Sequence, residues 1–313
     1  MLRYRLIFGL LFAALLVALI WADSFCASRG YAPAGTFIAL ATLALVPLAV
    51  KEMQSLLARS GVAISMRVSV IACLLCALWP WIEQVADLVN ARTLRLAATE
   101  PNATAPYNYS NVIGTWFVTV KPHYLVPTVL AAAMLGALVM HSRNQKVHGA
   151  MASTGATLLA IVYLGVLPGF FLPICLSYSA WMLLAIIAIV KAADIGAYTV
   201  GHLLGRRKLI PWLSPGKTLE GFFGGLLFAG LAGMAAAALN PRFLWHQGLI
   251  AGVILGAVGQ VGDLLESLLK RDAGVKDSGV LPGFGGLLDL LDSPLLAAPA
   301  AYWLLKLLVI SKF

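Results

Sequence analysis

The sequence predicts an all-α polytopic membrane protein with about nine transmembrane helices. Of its 313 residues, 61% are hydrophobic and only 11% are charged, whereas roughly 25% are charged in an average soluble domain. A soluble protein of this size needs more charge to cover its exterior. The composition therefore excludes an ordinary water-soluble enzyme and a disordered chain, and it indicates that much of the apolar surface faces lipid.

Nine apolar segments come close to the length of about 20 residues that a helix needs to cross a bilayer. They are centred on residues 6–21, 33–50, 68–82, 124–141, 151–167, 174–197, 221–239, 249–261 and 294–310. The first follows Arg3 and Arg5 and could pass for a signal peptide. Because no clear small-residue cleavage site follows it and further spans come after it, we expect a membrane anchor.

The basic residues predict the orientation of these helices. With the amino terminus in the cytoplasm, 14 Lys and Arg lie in cytoplasmic segments and 6 lie on the opposite side. This asymmetry follows the positive-inside rule and predicts an integral protein of a bacterial inner (plasma) membrane, in contact with the lipid bilayer. The net charge of +9 is spread thinly over the chain, so we expect no nucleic-acid partner.

Two further features have structural interpretations. The four cysteines are too few and too scattered for a disulfide scaffold or a zinc site, so Cys73 and Cys76 are expected to pack within a helix. The longest non-cytoplasmic segment, residues 83–123, carries few charges, and we expect it to form a structured cap or a connector.

The acidic residues are concentrated near the carboxyl end. Eight of the 13 Asp and Glu lie between Asp194 and Asp292, in two segments, residues 191–225 and 259–294, on the same predicted cytoplasmic face. Acids in or beside membrane spans are costly and usually mark function. The chain therefore divides into amino-terminal transmembrane helices, residues 1–170, and a carboxyl-terminal transmembrane region, residues 171–313, that carries a cytoplasm-facing site.

The second acidic segment has a helical pattern. Asp263, Ser267 and Lys270 share one helix face, and Glu266 can pair with Lys270 four residues later. In the first segment, Lys191 can pair with Asp194 three residues later. We therefore expect polar stripes at the ends of two apolar helices.

A glycine-rich run at residues 282–286 follows, and then Asp289 and Asp292 one helical turn apart. Glycines let backbone N–H groups approach a phosphate closely, because no Cβ blocks them. Carboxylate oxygens suit Mg²⁺, which takes one or two carboxylates together with substrate phosphates. Clustered acids, bases and glycines together predict phosphate chemistry.

This segment resembles the signature of the phosphatidate cytidylyltransferases, also called CDP-diacylglycerol synthases. The matching residues, in order, are Ser267, Lys270, Arg271, Lys276, Asp277, Pro282, Gly283, Gly285, Gly286, Asp289 and Asp292. Residues 194–201 and 214–221 resemble the same family, so the likeness covers about the last 120 residues. Phe284 stands where the family has His, Leu290 where it has Arg, and the gap from Asp277 to Pro282 is one residue shorter.

The resemblance implies a Mg²⁺-dependent nucleotidyltransferase of phospholipid biosynthesis. Its partners are CTP and phosphatidate, and its products are CDP-diacylglycerol and pyrophosphate. The catalytic residues that it implies are Asp263, Lys270, Arg271, Lys276 and Asp289. The implied ligands of Mg²⁺, or of Mg²⁺ with a second cation, are Asp263, Asp289 and Asp292. The implied substrate-binding residues are Ser214, Lys217, Thr218, Glu220, Ser267, Asp277, Gly283, Gly285 and Gly286.

Three alternative functions are compatible with the same residues. A related membrane transferase, such as a polyprenol kinase or an archaeol-type cytidylyltransferase, would act on a different lipid and is distinguished by its product. A transporter would carry acids near the middle of its spans and broken helices in paired halves, whereas these acids cluster at one surface. A catalytically silent paralogue would have a regulatory role. The oligomeric state is left open as well, with a homodimer included.

Overall fold

The computed structural model describes residues 2–99, 122–143, 148–240, 242–276, 278–279 and 285–310. Its helices are α1 (Leu2–Ser28), α2 (Thr36–Arg59), α3 (Met66–Thr99), α4 (Pro122–Ser142), α5 (Ala150–Ile161), α6 (Phe171–Ser177), α7 (Ala180–Leu204), α8 (Leu219–Ala238), α9 (Trp245–Asp272) and α10 (Leu287–Ile310). A π-helical turn (Val162–Val166) and a 3₁₀ turn (Pro168–Phe170) join α5 to α6.

The helices confirm the predicted class of polytopic membrane protein. Within the described ranges, eight helical stretches are long and apolar enough to cross a membrane. The ninth predicted span, residues 294–310, lies within α10, which is 24 residues long.

Two predicted segments differ from the structure. The span predicted at residues 174–197 is divided, because α6 ends at Ser177 and α7 begins at Ala180. The Ser179 hydroxyl accepts a hydrogen bond from the Met182 N–H at 3.1 Å and so caps the new helix. In the segment predicted as a cap or connector, α3 continues as a helix to Thr99, and residues 100–121 lie outside the described part of the chain.

Small residues bring α8 and α9 into close contact. Gly233 of α8 faces Gly248 and Gly252 of α9, and a Cβ on Gly248 would overlap the Gly233 carbonyl oxygen. Such close approach of backbones is how small residues drive association of helices in lipid. Helices α7, α8, α9 and α10 pack side by side in this way, and they carry most of the acids.

Helix α10 links two cores of buried apolar side chains. Leu295 packs in a cluster with Met53 and Cys73, whereas Ala297 packs in a second cluster with Val190 of α7. Cys73 is a free buried cysteine, as the sequence predicts. Because α10 belongs to both cores, its first turn has a defined position relative to α2, α7 and α9.

A short antiparallel hairpin, which the sequence did not predict, connects α7 to α8. Strand β1 (Lys208–Ile210) pairs with β2 (Ser214–Thr218). The hairpin folds back over the ends of α7 and α9, and it thereby brings Lys217 to α9.

Candidate functional site

Three carboxylates from two helices form the centre of the site. One oxygen each of Asp263 and Glu266 on α9 and of Asp292 on α10 lie within 4.8 Å of one another. Glu266 and Asp292 are buried, and Asp263 is partly exposed. The structure thus brings together Asp263 and Asp292, two of the predicted metal ligands, and adds Glu266 to them.

Lys270 connects this cluster to Asp289. Its ammonium group contacts Glu266 Oε2 and lies 2.5 Å from Asp289 Oδ1, so the predicted pairing of Glu266 with Lys270 is confirmed. Asp289 Oδ2 accepts hydrogen bonds from the backbone N–H groups of Gly286 at 2.7 Å and Ser278 at 3.0 Å. Burial acts to raise the pKa of Asp289, which precedes the apolar run of α10, but the hydrogen bond from Lys270 holds that pKa below its usual range.

A second lysine joins α7 to α10. Lys191 Nζ lies 3.1 Å from Asp194 Oδ2 and 3.9 Å from Asp292 Oδ1. The expected pairing of Lys191 with Asp194 is therefore confirmed. The Ser293 hydroxyl donates to Asp194 Oδ1 at 3.5 Å, which adds a second link between the two helices.

A third lysine joins the hairpin to α9, since Lys217 Nζ lies 2.7 Å from Asp263 Oδ2. The two acid-rich segments therefore meet, as the sequence predicts. Beside this ion pair lies a cavity of about 560 Å³. Its polar lining includes Asp194, Lys208, Ser214, Lys217, Gln260 and Asp263.

Two of the predicted substrate-binding residues hold the local backbone. The Thr218 hydroxyl accepts a hydrogen bond from the Gly221 N–H at 3.1 Å and caps α8, while Thr218 also lines the cavity. The Glu220 carboxylate accepts from the backbone N–H groups of Arg206 at 3.0 Å and Arg207 at 3.2 Å. Glu220, in the first turn of α8, therefore binds the backbone of the residues that follow α7.

The predicted residues at the end of α9 lie near the hairpin. Arg271 Nε donates to the Leu213 carbonyl oxygen at 3.4 Å, which ties the hairpin to α9. Ser267 is half-buried, and Lys276 is exposed beyond the helix end. Asp277, another predicted residue, lies outside the described part of the chain.

The glycine-rich run is described only in part. Gly285 has φ +82°, a conformation that glycine adopts without strain. The Gly286 N–H, expected to face a phosphate, instead donates to Asp289. Gly283 and the neighbouring Phe284 lie outside the described residues.

Glu52 of α2 is a site residue that the sequence analysis missed. Its Oε2 accepts from the Leu287 N–H at 2.8 Å and its Oε1 from the Leu288 N–H at 3.3 Å. It also contacts the Ser278 hydroxyl. Glu52 thus caps the amino terminus of α10 from a distant part of the chain, where a negative charge is stabilising. The sequence signal that could have indicated it is that Glu52 is the only acid of α2, since acids in or beside membrane spans usually mark function.

Tyr163 of the π-helical turn was also missed. Its hydroxyl is buried and has no hydrogen-bond partner among the described residues, and its side chain packs in the same buried cluster as Leu288 and Leu295 of α10. Single π-helical turns occur frequently at functional sites. A π turn has no sequence signature that separates it from an ordinary helix, so this placement required the structure.

The site fits a bound divalent cation. Around the three lysines described above lie five carboxylates, Asp194, Asp263, Glu266, Asp289 and Asp292, an excess of two negative charges when all are ionised. Glu266 Oε1 is a buried acceptor without a hydrogen-bond donor among the described residues. Carboxylate oxygens are the ligands that Mg²⁺ prefers, so the donor set suits this ion.

These features define a class: a polytopic membrane protein with acids, lysines and a polar cavity gathered at one end of its helices. Residues 3–308 match the model of the Cytidylyltransferase family. The chain belongs to this family.

Curated relatives agree with the family. The uncharacterized protein YnbB of Escherichia coli K12 is 40% identical over 146 residues, which are 42% of this chain and 49% of that protein. The phosphatidate cytidylyltransferase of Chlamydia muridarum is 36% identical over 182 residues, 54% of this chain and 59% of the relative. The phosphatidate cytidylyltransferase of Bacillus subtilis is 41% identical over 157 residues, which are 49% of this chain and 58% of the relative. The chain thus spans about half the length of the curated relatives it matches.

Proposed function

We propose that this protein is a phosphatidate cytidylyltransferase, which transfers CMP from CTP to phosphatidate and forms CDP-diacylglycerol and pyrophosphate. The observation that carries the proposal is the carboxylate cluster of Asp263, Glu266 and Asp292 beside Lys217 and a polar cavity. Two of the relatives above bear this enzyme's name, and the membrane-spanning helices suit a lipid substrate.

The reaction requires positioning more than proton transfer. A phosphate oxygen of phosphatidate attacks the α-phosphorus of CTP, the bond from that phosphorus to the β-phosphate oxygen breaks, and pyrophosphate leaves. A lipid phosphate is already ionised at pH 7, so no strong base is needed. The main task is to bring two polyanions together and to stabilise the leaving group, which fixed charges achieve.

The lysines supply the positive charge of the site. Lys217 lies in the cavity wall and can bind a phosphate oxygen of CTP, and its pairing with Asp263 holds it in place. Lys270 is held between Glu266 and Asp289. Arg271 and Lys276 are exposed at the end of α9, where they can attract CTP or the phosphatidate headgroup.

Asp263, Glu266 and Asp292 are the residues that would hold Mg²⁺. When bound, Mg²⁺ supplies charge stabilisation for the phosphoryl oxygens and the leaving pyrophosphate. We also propose that Asp289 could hold a second cation, because Lys270 contacts both Asp289 and Glu266 of the three-carboxylate cluster. Glu52 acts indirectly, because it positions the first turn of α10 that carries Asp289.

The proposed location is a bacterial inner membrane with the site facing the cytoplasm. The asymmetry of basic residues favours this orientation. It would let CTP enter the cavity from water while the acyl chains of phosphatidate stay in the bilayer. The proposed division into residues 1–170 and 171–313 places Asp263 and its partners in the catalytic part, with Glu52 contributed by the other part.

The proposal is tested with the purified, detergent-solubilised protein, phosphatidate, CTP and Mg²⁺, with the lipid products analysed by mass spectrometry. We expect CDP-diacylglycerol that disappears when EDTA is added. A phosphorylated alcohol formed when a polyprenol replaces phosphatidate would indicate a kinase. No CDP-diacylglycerol from folded protein would contradict the proposed reaction and would favour a different lipid acceptor or a catalytically silent paralogue.

Replacing Asp289 by Asn tests whether this acid is needed for catalysis. We expect Asp289→Asn to abolish turnover in a protein that is still folded and inserted. Asp272→Asn is the matched control, because Asp272 is an exposed acid at the end of α9, and it should retain activity. Normal turnover in Asp289→Asn would refute the metal role of Asp289.

A further inference from the structure

We propose that Tyr198 and His202 form a stacking platform for the base of the bound nucleotide. This inference rests on the proposed function and extends it, because it assigns the part of the cavity that receives the nucleoside. Neither residue is needed to explain the metal cluster or the lysines.

The two rings lie in the same wall of the cavity as Asp194. The three residues are four positions apart on α7 and therefore share one helix face, and all three line the cavity of about 560 Å³. The ring centroids of Tyr198 and His202 are 6.0 Å apart, and their planes differ by 4°. The rings thus present parallel faces in a polar cavity whose volume is typical of small-ligand sites.

The exposure of Tyr198 argues against a packing role. Its side chain is 75% exposed, so it belongs to neither apolar core. Tyrosines at the ends of membrane helices often act as interfacial anchors. The ring of Tyr198, however, faces a cavity that Lys208 and Ser214 also line. If the ring is a stacking platform, its removal lowers the affinity of the protein for nucleotides. If the ring is an interfacial anchor, its removal leaves that affinity unchanged.

The position of the rings matches the dimensions of a nucleotide. A helix rises about 1.5 Å per residue, so Tyr198 and His202 lie about one and two turns beyond Asp194 along α7. In a nucleoside triphosphate, one methylene and one ribose ring separate the base from the α-phosphate, a span comparable to one or two helical turns. Lys217 and Asp263 line the same cavity as the two rings, so a nucleotide whose triphosphate lies beside Lys217 can reach the rings with its base.

The chemistry of stacking predicts which ligands are affected. An aromatic side chain binds the π-face of any base and contributes little to the choice between bases. Loss of the ring should therefore weaken the binding of CTP and UTP by similar factors. It should leave the binding of inorganic tripolyphosphate, which has no base, unchanged.

The test measures the equilibrium binding of CTP, UTP and tripolyphosphate to the full-length protein in lipid nanodiscs. We expect Tyr198→Ala to weaken CTP and UTP binding by about 5- to 150-fold and to leave tripolyphosphate binding unchanged. Tyr198→Phe, which keeps the ring, should bind CTP as the wild type does. His202→Ala should weaken nucleotide binding in the same selective way.

Tyr31→Ala is the matched control, because Tyr31 is 73% exposed and lies in the turn between α1 and α2. Unchanged CTP affinity in Tyr198→Ala, or an equal loss for CTP and tripolyphosphate, would overturn the platform while wild-type activity still supports the transferase. A wild-type protein that neither binds CTP nor forms CDP-diacylglycerol would instead overturn the proposed function, and the platform with it.

Discussion

Replacing Glu52 by Ala tests whether a residue outside the predicted site controls its geometry. The change removes two hydrogen bonds to the backbone of α10, at 2.8 Å and 3.3 Å. A bond to a charged group contributes about 1.5 kcal/mol or more, so the two together contribute about 3 kcal/mol to the docked position of this helix turn. That corresponds to a factor on the order of 100.

We expect kcat/KM for CDP-diacylglycerol formation to fall by about this factor in Glu52→Ala. Glu52→Gln keeps one carbonyl acceptor and should lose about tenfold. Hydrogen exchange, followed by mass spectrometry, should be faster in the peptide that contains Leu287 and Leu288. The control is Lys51→Ala, since Lys51 is exposed in the same helical turn. Wild-type exchange and activity in Glu52→Ala, or an equal loss in Lys51→Ala, would show that Glu52 does not position the first turn of α10.

Three further changes test other parts of the structure. Asp263→Asn should abolish turnover and weaken the binding of divalent cations in calorimetry, and unchanged cation binding would contradict the proposed ligand set. Lys217→Gln should raise KM for CTP about tenfold through the loss of a charge-assisted contact of about 1.5 kcal/mol, so an unaltered KM would remove Lys217 from the nucleotide site. Asp23 is buried and accepts from the N–H groups of Gly35 at 2.9 Å and Phe37 at 3.0 Å. Asp23→Ala should therefore lower the free energy of unfolding by about 1–3 kcal/mol, measured by thermal unfolding in detergent, with no change in KM for CTP. Equal unfolding temperatures would show that these two hydrogen bonds are dispensable for stability.

The fold could largely be predicted from the sequence because an apolar run of sufficient length has few alternatives to a membrane helix. The prediction differed from the structure at positions where local interactions determine the secondary structure. A hydroxyl cap at Ser179 starts a new helix within an apolar run that continues through it. The β1–β2 hairpin lies in a connection of mixed composition, where neither a helical nor a strand period is visible.

The candidate site could be predicted in part, because clustered acids are conspicuous in a chain so poor in charge. The spacing of Glu266 and Lys270 on one helix predicted their pairing, which the structure confirms. The contact between Glu52 and the first turn of α10 joins residues more than 230 positions apart, and no local pattern encodes such a contact. Likewise, the hydrogen bond from Gly286 to Asp289 depends on a loop conformation that glycine permits without specifying.

An isotope experiment shows directly whether the lipid phosphate attacks the α-phosphorus of CTP. Phosphatidate labelled with ¹⁸O in its phosphate group is incubated with the wild-type protein, unlabelled CTP and Mg²⁺, and both products are analysed by mass spectrometry. We expect CDP-diacylglycerol to retain all of the label and pyrophosphate to contain none. Label in pyrophosphate, or conversion of CTP without labelled CDP-diacylglycerol, would exclude attack by the lipid phosphate.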